Sequence, residues 1–182
     1  LRLVGSEMCL RDRPFTWPKK LEDSPSHRLA TQDLDTVNYE EELMVGYRYF
    51  DTQEVEPQFP FGYGLSYTTF RYGRLRVSEK NGKVRGRIEI RNTGDRDGSQ
   101  TVQIYVRPER PSVTRPVHEL KAFEKLFLRA GERRTVEFTL PARAFSYYSE
   151  TEGRWVEDPG PYTIEAAASS RDIRSTAQIN IK

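Results

Sequence analysis

From Tyr67 to the end, the chain alternates apolar and polar residues with a period of two, interrupted at short intervals by turn residues. Successive side chains on a strand point to opposite faces, so alternation of this kind puts one face in a core and the other in water. Val84, Ile88 and Ile90 share one face, with Arg85, Arg87, Glu89 and Arg91 on the other, which is the pattern of a half-buried antiparallel strand. Val102, Ile104 and Val106 alternate in the same way with Thr101, Gln103 and Tyr105. Further strands are predicted at 120–128, 135–140, 162–168 and 173–181, with a shorter one at 154–156. Turn residues separate them: Asn81-Gly82, Asn92-Thr93-Gly94-Asp95, Ala130-Gly131-Glu132, Glu152-Gly153 and Pro159-Gly160.

About seven short strands with no helical period between them predict an all-β fold, a β-sandwich of immunoglobulin or fibronectin type III shape. A small barrel is the second topology. Residues 1–60 differ. Prolines at 14, 18, 25, 57 and 60 interrupt every apolar run, and neither strand nor helix period is sustained. Asp23, Ser24 and Ser26 around Pro25 mark a turn, and Tyr39-Glu40-Glu41-Glu42 is a short acidic run ahead of 43–50. A long structureless stretch is uncommon inside a compact domain, so this one is expected to pack on a body other than the sandwich. The division is drawn at 1–65 and 66–182, and 182 residues allow one good core with an appendage.

Composition removes several function classes. Lys and Arg number 29 against 27 Asp and Glu, and the net charge of +2 is too small for the one-signed field of a nucleic-acid binder. One cysteine, Cys9, cannot close an internal disulfide, and with only His27 and His118 beside it no zinc site is expected. No apolar run approaches the roughly 18 residues of a membrane helix, and residues 1–10 lack the pattern of a signal peptide. Asn-x-Ser/Thr is absent. Neither a membrane nor a nucleic acid is expected as partner, and localisation stays open.

Two segments are more specific than composition. Val45-Gly46-Tyr47-Arg48-Tyr49-Phe50, followed by Phe59-Pro60-Phe61-Gly62-Tyr63-Gly64-Leu65-Ser66-Tyr67-Thr68-Thr69-Phe70, resembles the C-terminal part of the family-3 glycoside hydrolases, the β-glucosidase group. Pro14-Phe15-Thr16-Trp17-Pro18 is similar to the end of that family's second domain, an α/β sandwich. Asn92-Thr93-Gly94, Gln103-Ile104-Tyr105-Val106, Pro116-Val117-His118-Glu119-Leu120-Lys121-Ala122-Phe123 and Ser169-Ser170-Arg171-Asp172-Ile173 resemble its last domain, which is fibronectin type III-like. The likeness runs over about 14–182. It does not extend to Arg11-Asp12-Arg13, where family members carry a glycine, a basic residue and a leucine, and 1–13 are expected to be unrelated.

The resemblance implies a retaining enzyme that hydrolyses terminal non-reducing β-D-glucosyl residues without a cofactor. Such chemistry needs two carboxyl groups about 5–5.5 Å apart. In the family the nucleophile lies in an N-terminal (β/α)₈ barrel and the acid/base precedes the segment present here, so no catalytic residue is assigned. The implied role is a scaffold docked on the barrel and the α/β sandwich domain, with substrate met only in the intact enzyme. Glu41, Tyr47, Arg48, Phe59, Phe61, Tyr63 and Tyr67 are the expected docking residues, in possible proximity to substrate. Glu41 is expected to pair with Arg48 or with the barrel.

Read without the family, Gly62 and Gly64 among Phe59, Phe61, Tyr63 and Tyr67 predict a sharply bent backbone with aromatic anchors, because glycine permits positive φ and close approach. A platform for sugar faces is the functional alternative. Glu119 beside His118 forms a nominal acid/base dyad that reads as a solvated strand edge. Ser66, Ser146 and Ser169 lie in no nucleophile motif. Arg71, Arg74, Arg76, Arg85, Arg87 and Arg91, interleaved with Glu79, Glu89 and Asp95, read as a solvated sheet face, with contact to an acidic glycan or a membrane as the alternative. The competing function class is a free-standing carbohydrate-binding or adhesion module, which glycan binding without hydrolysis would reveal.

Overall fold

The computed structural model describes residues 14–27, 39–80 and 82–182. Cys9, the rest of the segment 1–13 expected to be unrelated, and Asn81 of the Asn81-Gly82 turn lie outside them. A single-turn helix, α1 (Tyr47–Thr52), precedes ten strands: β1 (Phe70–Tyr72), β2 (Arg76–Lys80), β3 (Lys83–Asn92), β4 (Gly98–Pro108), β5 (Glu119–Leu128), β6 (Arg133–Leu140), β7 (Ser146–Ser149), β8 (Arg154–Glu157), β9 (Gly160–Ser169) and β10 (Asp172–Ile181). In one sheet β3 is central, with β6 on one side and β1 and β2 end to end on the other. The other runs β10-β9-β4-β5, all neighbours antiparallel. β7 and β8 form a separate hairpin. Two packed antiparallel sheets are the sandwich the alternation predicts.

The core lies between the sheets. Val84, Ile88 and Ile90 from β3 and Val136 and Leu140 from β6 meet Val102, Ile104 and Val106 from β4, Leu126 and Leu128 from β5 and Ile164 from β9, all at most 2% exposed. Gly86 interrupts the apolar face of β3 for a steric reason. Its cross-strand partner is Phe138, and a Cβ at Gly86 would lie 2.1 Å from that ring. Asn92 closes β3 as a fully buried amide: Oδ1 accepts from Thr68 Oγ1 and Gly94 N, while Nδ2 donates to the carbonyls of Arg96 and Leu128. All its hydrogen-bonding capacity is used, as burial requires.

Strands β1, β2 and β7 and helix α1 are additional to the predicted set. β1 has three residues, and edge strand β2 exposes four of its five, so neither presents an apolar face long enough to read. α1 has six residues, too short to be stable alone. It exists because it packs on the β10-β9-β4-β5 sheet. The residues that read as the solvent face of β4 are covered: every side chain from Gln100 to Val106 is buried, as is every one from Tyr162 to Ser170. The cover is the segment 47–63. The stretch expected to pack elsewhere is therefore, over this length, a strap laid on the sandwich itself.

Candidate functional site

The strap meets the sheet in two places, one polar and one aromatic. At the polar contact, Asp51 of α1, His118 from the loop before β5 and Glu165 of β9 converge. His118 Nδ1 lies 2.8 Å from Glu165 Oε2 and Nε2 lies 3.2 Å from Asp51 Oδ2, with all three side chains at most 7% exposed. Each imidazole nitrogen faces a carboxylate, so a protonated ring can donate on both sides. Burial opposes the charge on His118, but the hydrogen bonds to Asp51 and Glu165 outweigh it and hold the pKa above the usual 6.5. For Asp51, burial works in the opposite direction, and hydrogen bonds from His118 and Arg171 prevail to keep it below the usual 3.8.

Arg171, in the β9–β10 turn, closes this latch. Its Nε donates to Asp51 Oδ1 at 2.7 Å, Nη1 to Glu56 Oε2, and Nη2 to the carbonyls of Phe50 and Val55. One guanidinium thus holds both the C-terminal half of α1 and the chain that follows it. Tyr105 of β4 stacks on the imidazole at 4.5 Å between centroids and donates to Gln103 Oε1. Burial, with Tyr47, Asp51 and Glu165 nearby, drives its pKa far up and keeps the hydroxyl protonated. From α1, Tyr47 Oη accepts from Leu120 N and Thr52 Oγ1 from Val117 N, which ties the loop before β5 to the strap.

The aromatic contact brings several of the expected residues together. Tyr47 packs on Phe61 at 5.1 Å and on Tyr105 at 5.8 Å. Between them Gly62, at φ +78°, lies flat on Gln103, where a Cβ would approach its Nε2 to 1.9 Å. The bend and close approach expected of these glycines occur at Gly62. Gly64 is not in the positive-φ region. Phe61 O accepts from Ser170 N. Phe59 stacks on Tyr63 at 5.0 Å and pairs through its backbone with Trp17.

The other expected residues lie apart. Tyr67 is 68% exposed, just ahead of β1. Arg48 is half-buried on α1 and Glu41 does not pair with it: Glu41 Oε1 accepts from Ser26 Oγ at 3.2 Å. The reading of His118-Glu119 as a solvated edge dyad is also corrected. His118 is 5% exposed and bound to Asp51 and Glu165, whereas Glu119 pairs with Arg115 and Lys121, which overcome its burial and lower its pKa. The two side chains belong to separate ion networks and do not share a proton. Asp51, Glu165 and the clamp role of Arg171 carry no local spacing signal; only the likeness of 116–123 and 169–173 to a known family drew attention to the loop and turn that supply His118 and Arg171. Among the described residues no cluster of His, Cys, Asp or Glu suits a metal, and no helix is long and apolar enough to cross a membrane.

Comparison with known proteins bears on the fold and the family. The family described as "Fibronectin type III-like domain" matches residues 100–170. "Thermostable beta-glucosidase B" of Acetivibrio thermocellus is 45% identical over 162 residues, covering 87% of this chain and 22% of that protein. An "Exo-alpha-(1->6)-L-arabinopyranosidase" of Bifidobacterium longum is 43% identical over 89% of this chain and 22% of its own length. The crystal structure of a Bifidobacterium adolescentis GH3 beta-glucosidase superposes with a TM-score of 0.89 at 40% identity, over 92% of this chain and 25% of that one. The chain spans about a fifth to a quarter of the length of the relatives it matches.

Proposed function

This chain belongs to the family-3 glycoside hydrolases, whose C-terminal region it matches, fibronectin type III-like domain included, and from that premise we propose that it is the scaffold and docking part of a β-glucosidase. The intact enzyme hydrolyses terminal non-reducing β-D-glucosyl residues with retention and without a cofactor. In this reading 66–182 is the sandwich, and 1–65 combines the end of the preceding α/β domain with the linker. The observation that carries it is a likeness over nine-tenths of this chain and only about a fifth of each relative.

The chemistry of the described residues agrees. Retaining hydrolysis needs one accessible ionised carboxylate and one carboxylic acid on either side of the bond. The two buried carboxylates that converge, Asp51 and Glu165, are occupied by one imidazole and its arginine partners, and Asp51 is held ionised. The docking role falls on Glu41, Tyr47, Arg48, Phe59, Phe61, Tyr63 and Tyr67. Tyr47 and Phe61 anchor the strap on the sandwich, while exposed Tyr67 and Leu65, with the Phe59–Tyr63 stack beside Trp17, offer apolar surface to the barrel and α/β domains. An apolar hollow of about 170 Å³ bordered by Pro14, Phe61, Leu120 and the 71% exposed Phe123 lies beside them. The purified chain is expected to show no turnover of aryl β-glucosides. Turnover above a boiled control that Glu41→Gln abolishes refutes the scaffold reading.

A further inference from the structure

The strap and the docking surface lie on the β10-β9-β4-β5 side, so the outer face of the other sheet points away from them. That face carries arginines set directly opposite one another. Antiparallel register pairs Arg71 of β1 with Arg91 of β3, Arg91 with Arg133 of β6, and Arg76 of β2 with Arg87 of β3. Directly opposed residues have Cβ atoms about 4.5–5.5 Å apart, and like charges in that position destabilise a sheet. Arg85 extends the column along β3. All six are exposed, and none of their side chains has a hydrogen bond or ion pair among the described residues. Only Glu89 and Glu137 oppose them on this face. The whole chain carries just +2, so this is a local concentration of charge.

Hydroxyl groups are interleaved with the guanidiniums. Ser78, Arg85 and Thr139 are in register across three strands, and they border a depression of about 630 Å³ together with Arg76, Arg87 and Glu137. None of the exposed aromatic side chains lies on β1, β2, β3 or β6. A single-stranded nucleic acid is held by stacking on such rings, and a membrane-surface element inserts them. Duplex DNA is gripped by an element that enters a groove or by a one-signed field over the whole domain. A flat sheet with forked cations and hydroxyls fits a polymer that offers carboxylates and sugar hydroxyls at regular intervals, because guanidinium binds carboxylate bidentately.

We propose that the outer face of the β1/β2-β3-β6 sheet binds an anionic polysaccharide, a chain of uronic-acid sugars whose carboxylates seat on the opposed arginines. The choice of a glycan among polyanions rests on the glycosidase reading above; the surface itself does not. Its effect would be to hold a carbohydrate-cleaving enzyme on an acidic glycan matrix, with the strap side left free for the other domains.

The test titrates the 182-residue chain with size-defined oligogalacturonate, a neutral cello-oligosaccharide of equal length, duplex DNA and vesicles of phosphatidylserine and phosphatidylcholine. Saturable binding of oligogalacturonate, weakened by salt, is expected, with no binding of the neutral sugar and weaker binding of DNA and vesicles. Arg87→Ser/Arg91→Ser should weaken it at least about tenfold, since two charge-assisted contacts are lost, at an unchanged or higher melting temperature because opposed like charges are removed. Arg110→Ser, exposed in the loop that follows β4 of the other sheet, should leave it unchanged. Absence of oligogalacturonate binding, equal or tighter binding of DNA or vesicles, or indifference to the double variant overturns the proposal. These titrations read neither hydrolysis nor the strap, so failure of the scaffold reading appears separately, as turnover of aryl β-glucosides.

Discussion

Replacing His118 by glutamine removes the one cation that joins Asp51 and Glu165, and the structure says where the cost falls. Asp51 keeps the guanidinium of Arg171 at 2.7 Å. Glu165 does not fare as well: its side chain is 6% exposed, and its remaining ionic partner is Arg107 at 3.7 Å, a residue itself 46% exposed. Breaking a buried ion pair from one side costs about 3–5 kcal/mol because a charge is left uncompensated. With only Glu165 orphaned, about 3 kcal/mol is expected, a large share of the roughly 5–15 kcal/mol that holds a typical domain together. The assay is urea unfolding followed by intrinsic fluorescence, read as a midpoint shift at unchanged m. Adding Glu165→Gln removes the orphan charge, and the double variant should recover most of the loss.

The pH dependence has a definite sign. The folded pKa of His118 is raised, so its contribution is fully present below the unfolded value of about 6.5 and is lost as pH rises through the folded pKa. The Asp51 pKa is lowered, so its contribution is present above about 3.8 and is lost as pH falls through the folded value. These groups therefore support the strap most between those limits. Tyr105, Tyr47, Arg171 and Arg107 also face the cluster; Tyr105 stays neutral throughout this range. His118→Gln should abolish the alkaline loss seen in the parent. A cost below about 1 kcal/mol, or an alkaline limb equal to the parent's, refutes the latch.

Two further substitutions probe the sandwich. Asn92→Asp places a carboxylate against the carbonyls of Arg96 and Leu128 at a position with no solvent exposure; about 3 kcal/mol or more should be lost by calorimetry, and a loss under about 1 kcal/mol contradicts the assigned hydrogen bonds. Gly86→Ala drives a methyl into the Phe138 ring and should cost about 1–3 kcal/mol as overpacking, with Phe138→Leu restoring stability in the double variant; full stability of the single variant shows that the ring moves aside freely.

The sandwich is legible in the sequence because alternation is a local property. Val84, Ile88 and Ile90 declare their face within seven residues, and the partner sheet does the same at 102–106. What covers a polar face is not local. Thr101, Gln103 and Tyr105 alternate as solvent residues do, yet a segment some 40 residues earlier hides them, and six residues of α1 are too few to show a helical period. The latch is still less visible, because Asp51, His118, Glu165 and Arg171 lie on four separate stretches of chain. Adjacency even misdirects, since His118 and Glu119 look like a pair and belong to two different ion networks. The aromatic segment 59–67 was visible as a cluster with bent glycines, but composition cannot say that Phe61 faces inward while Tyr67 faces out.

The strap also has a consequence in time. Arg171 and Asp51 are separated by 120 residues, and His118 and Asp51 by 67. Synthesis releases α1 long before its landing site, and one helical turn has no persistence of its own. The entropy of closing so long a loop must be met before any latch contact repays it. The earliest part of the strap is therefore secured last, once β9 and β10 have folded together and placed Arg171. Weakening the latch should then leave the rate of folding nearly unchanged and hasten unfolding, so that the lifetime of the docked strap, more than the assembly of the sheets, is what these four side chains govern.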